Sequence, residues 1–214
     1  MIISDQFYWL HLPKTGGTST ANLFRELNIP GVYVDPDNID AKHESIQHRF
    51  QGDSIKTINR ISIITSRRLA DWLLSDWHHK TKKMGLEIPF EPVRSGLFYS
   101  LRLGGTWVAA DYWIHYFSAN SCTHTIRLEH LEEDSNRYVL PLLPKRTKPL
   151  RFPNQNTNQY SRKIEDFFSK SDLKRIYENN PIWIAWEEKT YGNLTTIIPT
   201  SRLISKASKF FRLN

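Results

Sequence analysis

The sequence predicts an α/β protein in which a mostly parallel sheet is flanked by helices. Two stretches carry that prediction. A short apolar run, FYWLHL (residues 7–12), stops at Pro13, and beyond a glycine loop apolar residues recur at helical spacing in TSTANLFREL (18–27). The same order returns where the β-branched run ISIIT (61–65) gives way to RRLADWLLSDWHHKTKK (67–83), in which Leu69, Leu73 and Trp77 keep a helical period. Strands alternating with helices form a parallel sheet covered by its own crossovers, and such sheets bind ligands at the carboxyl ends of their strands.

Along the chain, residues 7–12 are a buried first strand, and the helix after the glycine loop ends at Pro30 and Gly31. VYVD (32–35) is a short second strand, and the polar stretch 36–59 is a loop with room for one helical turn. TWVAADYWIHYFSAN (106–120) reads as an aromatic-rich helix packed in the core, and THTIRLEHL (123–131) as a strand entering a helix. Asn180 is placed to cap a last helix that has Pro181 at its first position and Gly192 just past its end. The segment 141–159, rich in proline, lysine and asparagine, is a long loop of the kind that often carries function. One domain over residues 1–199 and a basic amphipathic tail over 200–214 account for the whole chain.

With 214 residues, 39% hydrophobic and 24% charged, the chain can bury a sizeable core. A single cysteine, Cys122, excludes an internal disulfide and a CxxC zinc site and fits a reducing compartment. With no basic leader and no run of ~18 apolar residues, the expectation is a soluble, cytoplasmic protein. Lys+Arg 29 against Asp+Glu 22 leaves +7, which favours an anionic ligand, nucleic acid or a membrane surface without choosing among them. In the tail, Arg202, Lys206, Lys209 and Arg212 alternate with Leu203, Ile204, Phe210 and Phe211. Such a segment can lie weakly on an anionic membrane, dock on a partner, or fray from the body.

The sharpest signal is HLPKTGGTST (11–20), between a strand and a helix. Gly16 and Gly17 let the backbone approach a ligand, the N–H groups of Gly17, Thr18 and Ser19 would face an anion, and Lys14 supplies a countercharge. The lysine precedes the glycine pair and no GK[ST] follows, so this is not a Walker A loop.

At these residues the sequence resembles the sulfotransferases that use 3′-phosphoadenosine 5′-phosphosulfate (PAPS), whose 5′-phosphosulfate loop in one large group reads PKTGGTS. Residues 13–19 match it letter for letter. The resemblance implies a three-layer α/β fold related to the P-loop nucleotide kinases, with Lys14, Thr15, Gly16, Gly17, Thr18 and Ser19 at the donor's 5′-phosphosulfate. It also implies that an arginine at a strand end and a serine eight positions on bind the 3′-phosphate; here these are Arg67 and Ser75. Where the family continues that arginine with Asp-Pro, this chain has Arg68 and Leu69. IRLEHL (126–131) is similar to a further strand end of the family that is largely structural.

Sulfuryl transfer is an in-line displacement in which charge grows on the oxygen between sulfur and the departing phosphate, where Lys14 would act. The product is 3′,5′-adenosine bisphosphate (PAP), and no metal is required. The acceptor hydroxyl must lose a proton, so a base near neutral pKa should face the sulfur. The resemblance favours His43 for that role, with Glu44 and His48 as neighbours able to serve instead. His78 and His79, in a basic helical stretch, read as surface residues, and His11 as a strand histidine facing the core. Lys145, Arg146, Lys148 and Arg151 either close over the donor, as basic loops late in the chain do in that family, or form a solvated face. By likeness to carbohydrate sulfotransferases the acceptor is a sugar hydroxyl. The rival readings are a nucleotide-dependent phosphotransferase and a basic nucleic-acid-binding module, the latter lacking any RNP, KH or zinc-finger pattern.

Overall fold

Four consecutive apolar residues without polar alternation, Phe7–Leu10, form strand β2 at the centre of a five-stranded sheet, with every side chain buried. The computed structural model describes residues 1–38, 40–51, 60–145, 147–152 and 163–192. The chain divides into two compact units, Met1–Arg67 with Tyr116–Gln159, and Arg68–His115 with Tyr160–Asn214.

The first unit holds the sheet. Besides β2 it contains β1 (Ile2–Ile3), β3 (Tyr33–Val34), β4 (Ile61–Ser66) and β7 (His124–Arg127), in the order β3-β1-β2-β4-β7. β2 pairs in parallel with β4, and β4 with β7, whereas β1 runs antiparallel to both β2 and β3. The sheet is therefore mixed, and the expectation of a mostly parallel one is corrected. A connection of three residues, 4–6, is too short for a crossover helix, and the Ser4 hydroxyl accepts the N–H groups of Gln6 (3.1 Å) and Phe7 (3.0 Å), folding β1 straight back along β2.

Helices α1 (Gly17–Leu27) and α6 (Leu131–Tyr138) flank this sheet. Phe24 of α1 meets the rings of Phe7 and Trp9 edge-on, with Ile63, Ile126, Val139 and Leu150 in the same cluster. Trp9 Nε1 donates to Thr65 Oγ1 at 2.9 Å, so the buried indole keeps a hydrogen-bond partner. At the β7 exit the Arg127 guanidinium grips Asp134 at 2.9 and 2.7 Å. Burial alone would raise the Asp134 carboxyl, but these bonds and the Arg127 charge outweigh it and hold the group below its usual value. A 3₁₀ turn, Asp40–His43, and the short helix α2 (Ile46–Arg49) lie within the stretch 36–59 expected as a loop with room for one helical turn, of which residues 39 and 52–59 are outside the described residues.

The second unit is built on aromatic helices. α3 (Leu69–His78) ends in a π turn, His79–Lys83, and is followed by α4 (Glu91–Arg94), the hairpin of β5 (Leu97–Ser100) and β6 (Thr106–Ala109), and α5 (Asp111–Phe117), which runs on into the first unit's second stretch. α7 (Lys170–Glu178) and α8 (Pro181–Tyr191) complete it. Trp72 packs on Phe98 and Trp183, and Trp183 on Trp186.

Three further expectations change here. The helix expected over 106–120 is a strand, a shorter helix and a 3₁₀ turn, because Gly104 (φ 79°) and Gly105 (φ 77°) turn the chain so that TWVA pairs with LFYS. Asn180 does not cap α8. Its side-chain amide donates to the Gly96 and Ile176 carbonyls, while Asp111 accepts the N–H groups of Ile182 (3.0 Å) and Trp183 (2.7 Å). His78 is buried, not a surface residue. Its ring meets Trp77 and Phe167, and burial lowers its pKa, so the imidazole is neutral.

Among the described residues no helix is long and apolar enough to cross a membrane. The tail 200–214 and Arg146 lie outside the described residues.

Candidate functional site

β2 ends at Leu10, and residues 11–16 turn the chain into α1. Two of them are left-handed, Lys14 at φ 65° and Gly16 at φ 83°. For lysine that conformation costs ~1–3 kcal/mol and persists only where the surrounding contacts hold it. One such contact comes from Arg67, whose Nη1 donates to the Lys14 carbonyl at 3.2 Å. Arg67 follows the last residue of β4, the parallel neighbour of β2, and the pairing of Leu10 with Ile64 brings both strand exits to the same edge of the sheet. The two stretches singled out by the sequence thus meet within the first unit.

Thr15 is buried and its hydroxyl donates to the Leu12 carbonyl at 2.8 Å, so it ties the loop from inside. Thr20 closes the other end, donating from its backbone N–H (3.1 Å) and its hydroxyl (3.2 Å) to the Gly16 carbonyl. Lys14 and Ser19 are half-buried and Thr18 is exposed. The glycines are required for different reasons. Gly16 has its positive φ and Leu128 beneath it, 2.7 Å from where a Cβ would stand. Gly17 is the seat of the His11 ring, and a Cβ there would lie 1.7 Å from His11 Nε2. α1 then starts with no side-chain cap at Gly16 and no acidic residue in its first turn, so no carboxylate of its own sits at the positive end of its dipole.

His43 reaches the root of this loop. Its Nδ1 lies 3.0 Å from the His11 carbonyl, and the two rings are 4.6 Å apart. A carbonyl only accepts, so His43 Nδ1 carries a hydrogen, and in the neutral form of the ring the accepting nitrogen would be Nε2, as a general base requires. Burial, reinforced by the neighbouring His43, lowers the His11 pKa well below its usual value, which keeps that ring uncharged. The chain around His43 is pinned by ion pairs: Asp35 bonds Arg49 (2.5 Å) and the Met1 amino group (3.1 Å), and that amino group donates to the Lys42 carbonyl (3.0 Å). Glu44 is engaged with Arg49 at 3.3 Å, and His48 is exposed against the Tyr116 ring. Of the three candidate bases, His43 is joined to the root of the loop by a hydrogen bond of its own side chain, whereas Glu44 pairs with Arg49 and His48 lies against Tyr116.

His11 was expected to be a strand histidine facing the core. It stands just past the strand, half-buried, with its carbonyl orienting His43 and its ring filling the space above Gly17. The one sequence signal for this was its place directly before the loop. A cavity of about 20 Å³, enough for a water molecule, is bordered by His11, Thr15, Gly17, Thr20 and Asp35. Ser75 belongs to the second unit, buried on α3. Lys145, Lys148 and Arg151 are exposed.

No model of a known protein family matches this chain, and no curated protein matches it in sequence.

Proposed function

We propose that the protein is a PAPS-dependent sulfotransferase, of the three-layer α/β type related to the P-loop nucleotide kinases, that transfers a sulfuryl group to a hydroxyl, in the first instance of a sugar. The observation that carries this reading is the hydrogen bond from Arg67 to the Lys14 carbonyl. It joins the stretch that matches a 5′-phosphosulfate loop to the arginine that matches a 3′-phosphate ligand, two likenesses that are far apart in the chain and independent of each other.

In this reading Lys14 and the amides of Gly17, Thr18 and Ser19 hold the 5′-phosphosulfate, with Thr15 and Gly16 shaping the loop. Arg67 binds the 3′-phosphate. His43 Nε2 takes the proton of the acceptor hydroxyl as its oxygen attacks sulfur, the bond from sulfur to the bridging phosphate oxygen breaks, and PAP departs. Charge on that bridging oxygen is met by Lys14 and the helix amides.

Thermal unfolding with PAP, with ATP and magnesium, and with a short oligonucleotide tests the assignment, because a ligand that binds the native state raises its melting temperature. Stabilisation by PAP in the absence of metal is expected. Stabilisation by ATP with magnesium alone would select a phosphotransferase, and by the oligonucleotide alone a nucleic-acid-binding protein.

A further inference from the structure

Glu187, on α8, has a side chain with no exposed surface, and three groups converge on it within the second unit. The backbone N–H of Leu69, the first residue of α3, donates to Oε2 at 2.9 Å. Tyr177 of α7 donates its hydroxyl, 3.2 Å from Oε1 and 3.4 Å from Oε2. Arg68 Nη1 lies 3.3 Å from Oε1. The Arg68 side chain remains 37% exposed, with its guanidinium over the ring of Tyr191, one turn further along α8. Asp71, also on α3, adds its negative charge near Tyr177.

We propose that Glu187 is a proton-operated latch: ionised, it holds Arg68 against the start of α3, and protonated, it keeps α3 capped but lets the Arg68 guanidinium go. The two states differ in one contact. A neutral carboxyl still accepts the Leu69 N–H on its carbonyl oxygen and can give its own proton to the Tyr177 oxygen, so a hydrogen bond to each partner remains, the one with Tyr177 reversed in direction. What disappears is the charge that attracts Arg68, a side chain already in contact with solvent and able to leave at little cost.

The groups facing the carboxylate set the switching point. Burial pushes Glu187 up from 4.5 to about 7, against the opposing pull of the Leu69 N–H, Arg68 and Tyr177. Tyr177 stays protonated as a donor, since burial and the Glu187 charge hold it well above its usual value. The latch therefore turns over in the neutral range. The proposal does not depend on the sulfotransferase reading, and neither does its test.

The test is an NMR titration of the Arg68 Nε–Hε signal in the full chain between about pH 5.5 and 8.5, a window that brackets neutrality. A single transition near neutrality is expected. Glu187→Gln, which mimics the protonated carboxyl, should abolish the transition and leave the signal at its low-pH position. A flat wild-type signal, or an unchanged transition in Glu187→Gln, overturns the proposal. If Glu187→Gln does not fold, Arg68→Gln with the Glu187 carboxyl carbon as reporter serves instead. Loss of the cation should raise the proton affinity of Glu187 by about tenfold, and an unchanged or lower midpoint overturns the latch.

Discussion

Helices α3 and α8 of the second unit and α1 of the first meet the same problem at their starts in opposite ways. An α-helix leaves its first N–H groups without partners and its N-terminus partially positive. In the second unit both α3 and α8 are closed by buried carboxylates from elsewhere in the sequence, Glu187 on Leu69 and Asp111 on Ile182 and Trp183. In the first unit α1 starts on Gly16 with neither a side-chain cap nor an acid in its first turn, and the loop before it is held through a carbonyl by a cation, Arg67. A carboxylate at a helix start stabilises the fold and repels any further anion. A glycine start with cations around it leaves the dipole for a ligand. The contrast separates helix ends that serve stability from the one proposed to serve binding.

The largest effect is expected where a cap is removed. Asp111→Ala strips one buried and one partly buried N–H group of their carboxylate acceptor and should lower stability by about 3 kcal/mol, read by chemical denaturation. A loss below about 1 kcal/mol would mean that water replaces the cap without penalty.

The second concerns pH. Because folding raises the Glu187 pKa from 4.5 to about 7, its contribution to stability is fully present below the unfolded value and is lost as pH rises through the folded one. Across that interval the loss amounts to about 3 kcal/mol, and Glu187→Gln should flatten that part of the stability profile. A wild-type profile that rises over the interval would contradict the burial argument.

At the α1 start the consequences should appear in ligand chemistry. Lys14→Ala should lower sulfuryl transfer about a hundredfold, ~3 kcal/mol of transition-state stabilisation, while PAP binding changes little. His43→Ala should do the same for a different reason, loss of the base. Full activity in either variant removes that residue from the mechanism.

The smallest effect is in donor affinity. Arg67→Ala should weaken PAP by roughly ten- to a hundredfold and should not much alter the binding of ADP, which lacks the 3′-phosphate. Equal loss of both nucleotides on Arg67→Ala would show that the residue only holds the Lys14 carbonyl in place.

Local signals in the sequence mark FYWL, ISIIT, α1 and α3, because each is a run long enough to show its own periodicity, and the glycine loop is legible as adjacent letters. β1 is two residues long and was invisible, and TWVA looked helical because its aromatic residues continue into α5. Only tertiary structure could decide what the side chains do at long range. Asn180 has the residue type of a cap, yet its amide is taken up by Gly96 and Ile176, and Asp111 does the capping. Register between β2 and β4, not spacing in the chain, brings Arg67 to Lys14. His11 and His43 are a further case, since the carbonyl that selects the His43 tautomer belongs to a residue 32 positions away. The sequence alone determined the strands FYWL and ISIIT, the helices α1 and α3 and the place of the glycine loop, because those depend on neighbours within a few residues. Which charges meet, which helix ends are closed and which histidine faces the loop depend on contacts between distant segments, and those exist only once the chain has folded.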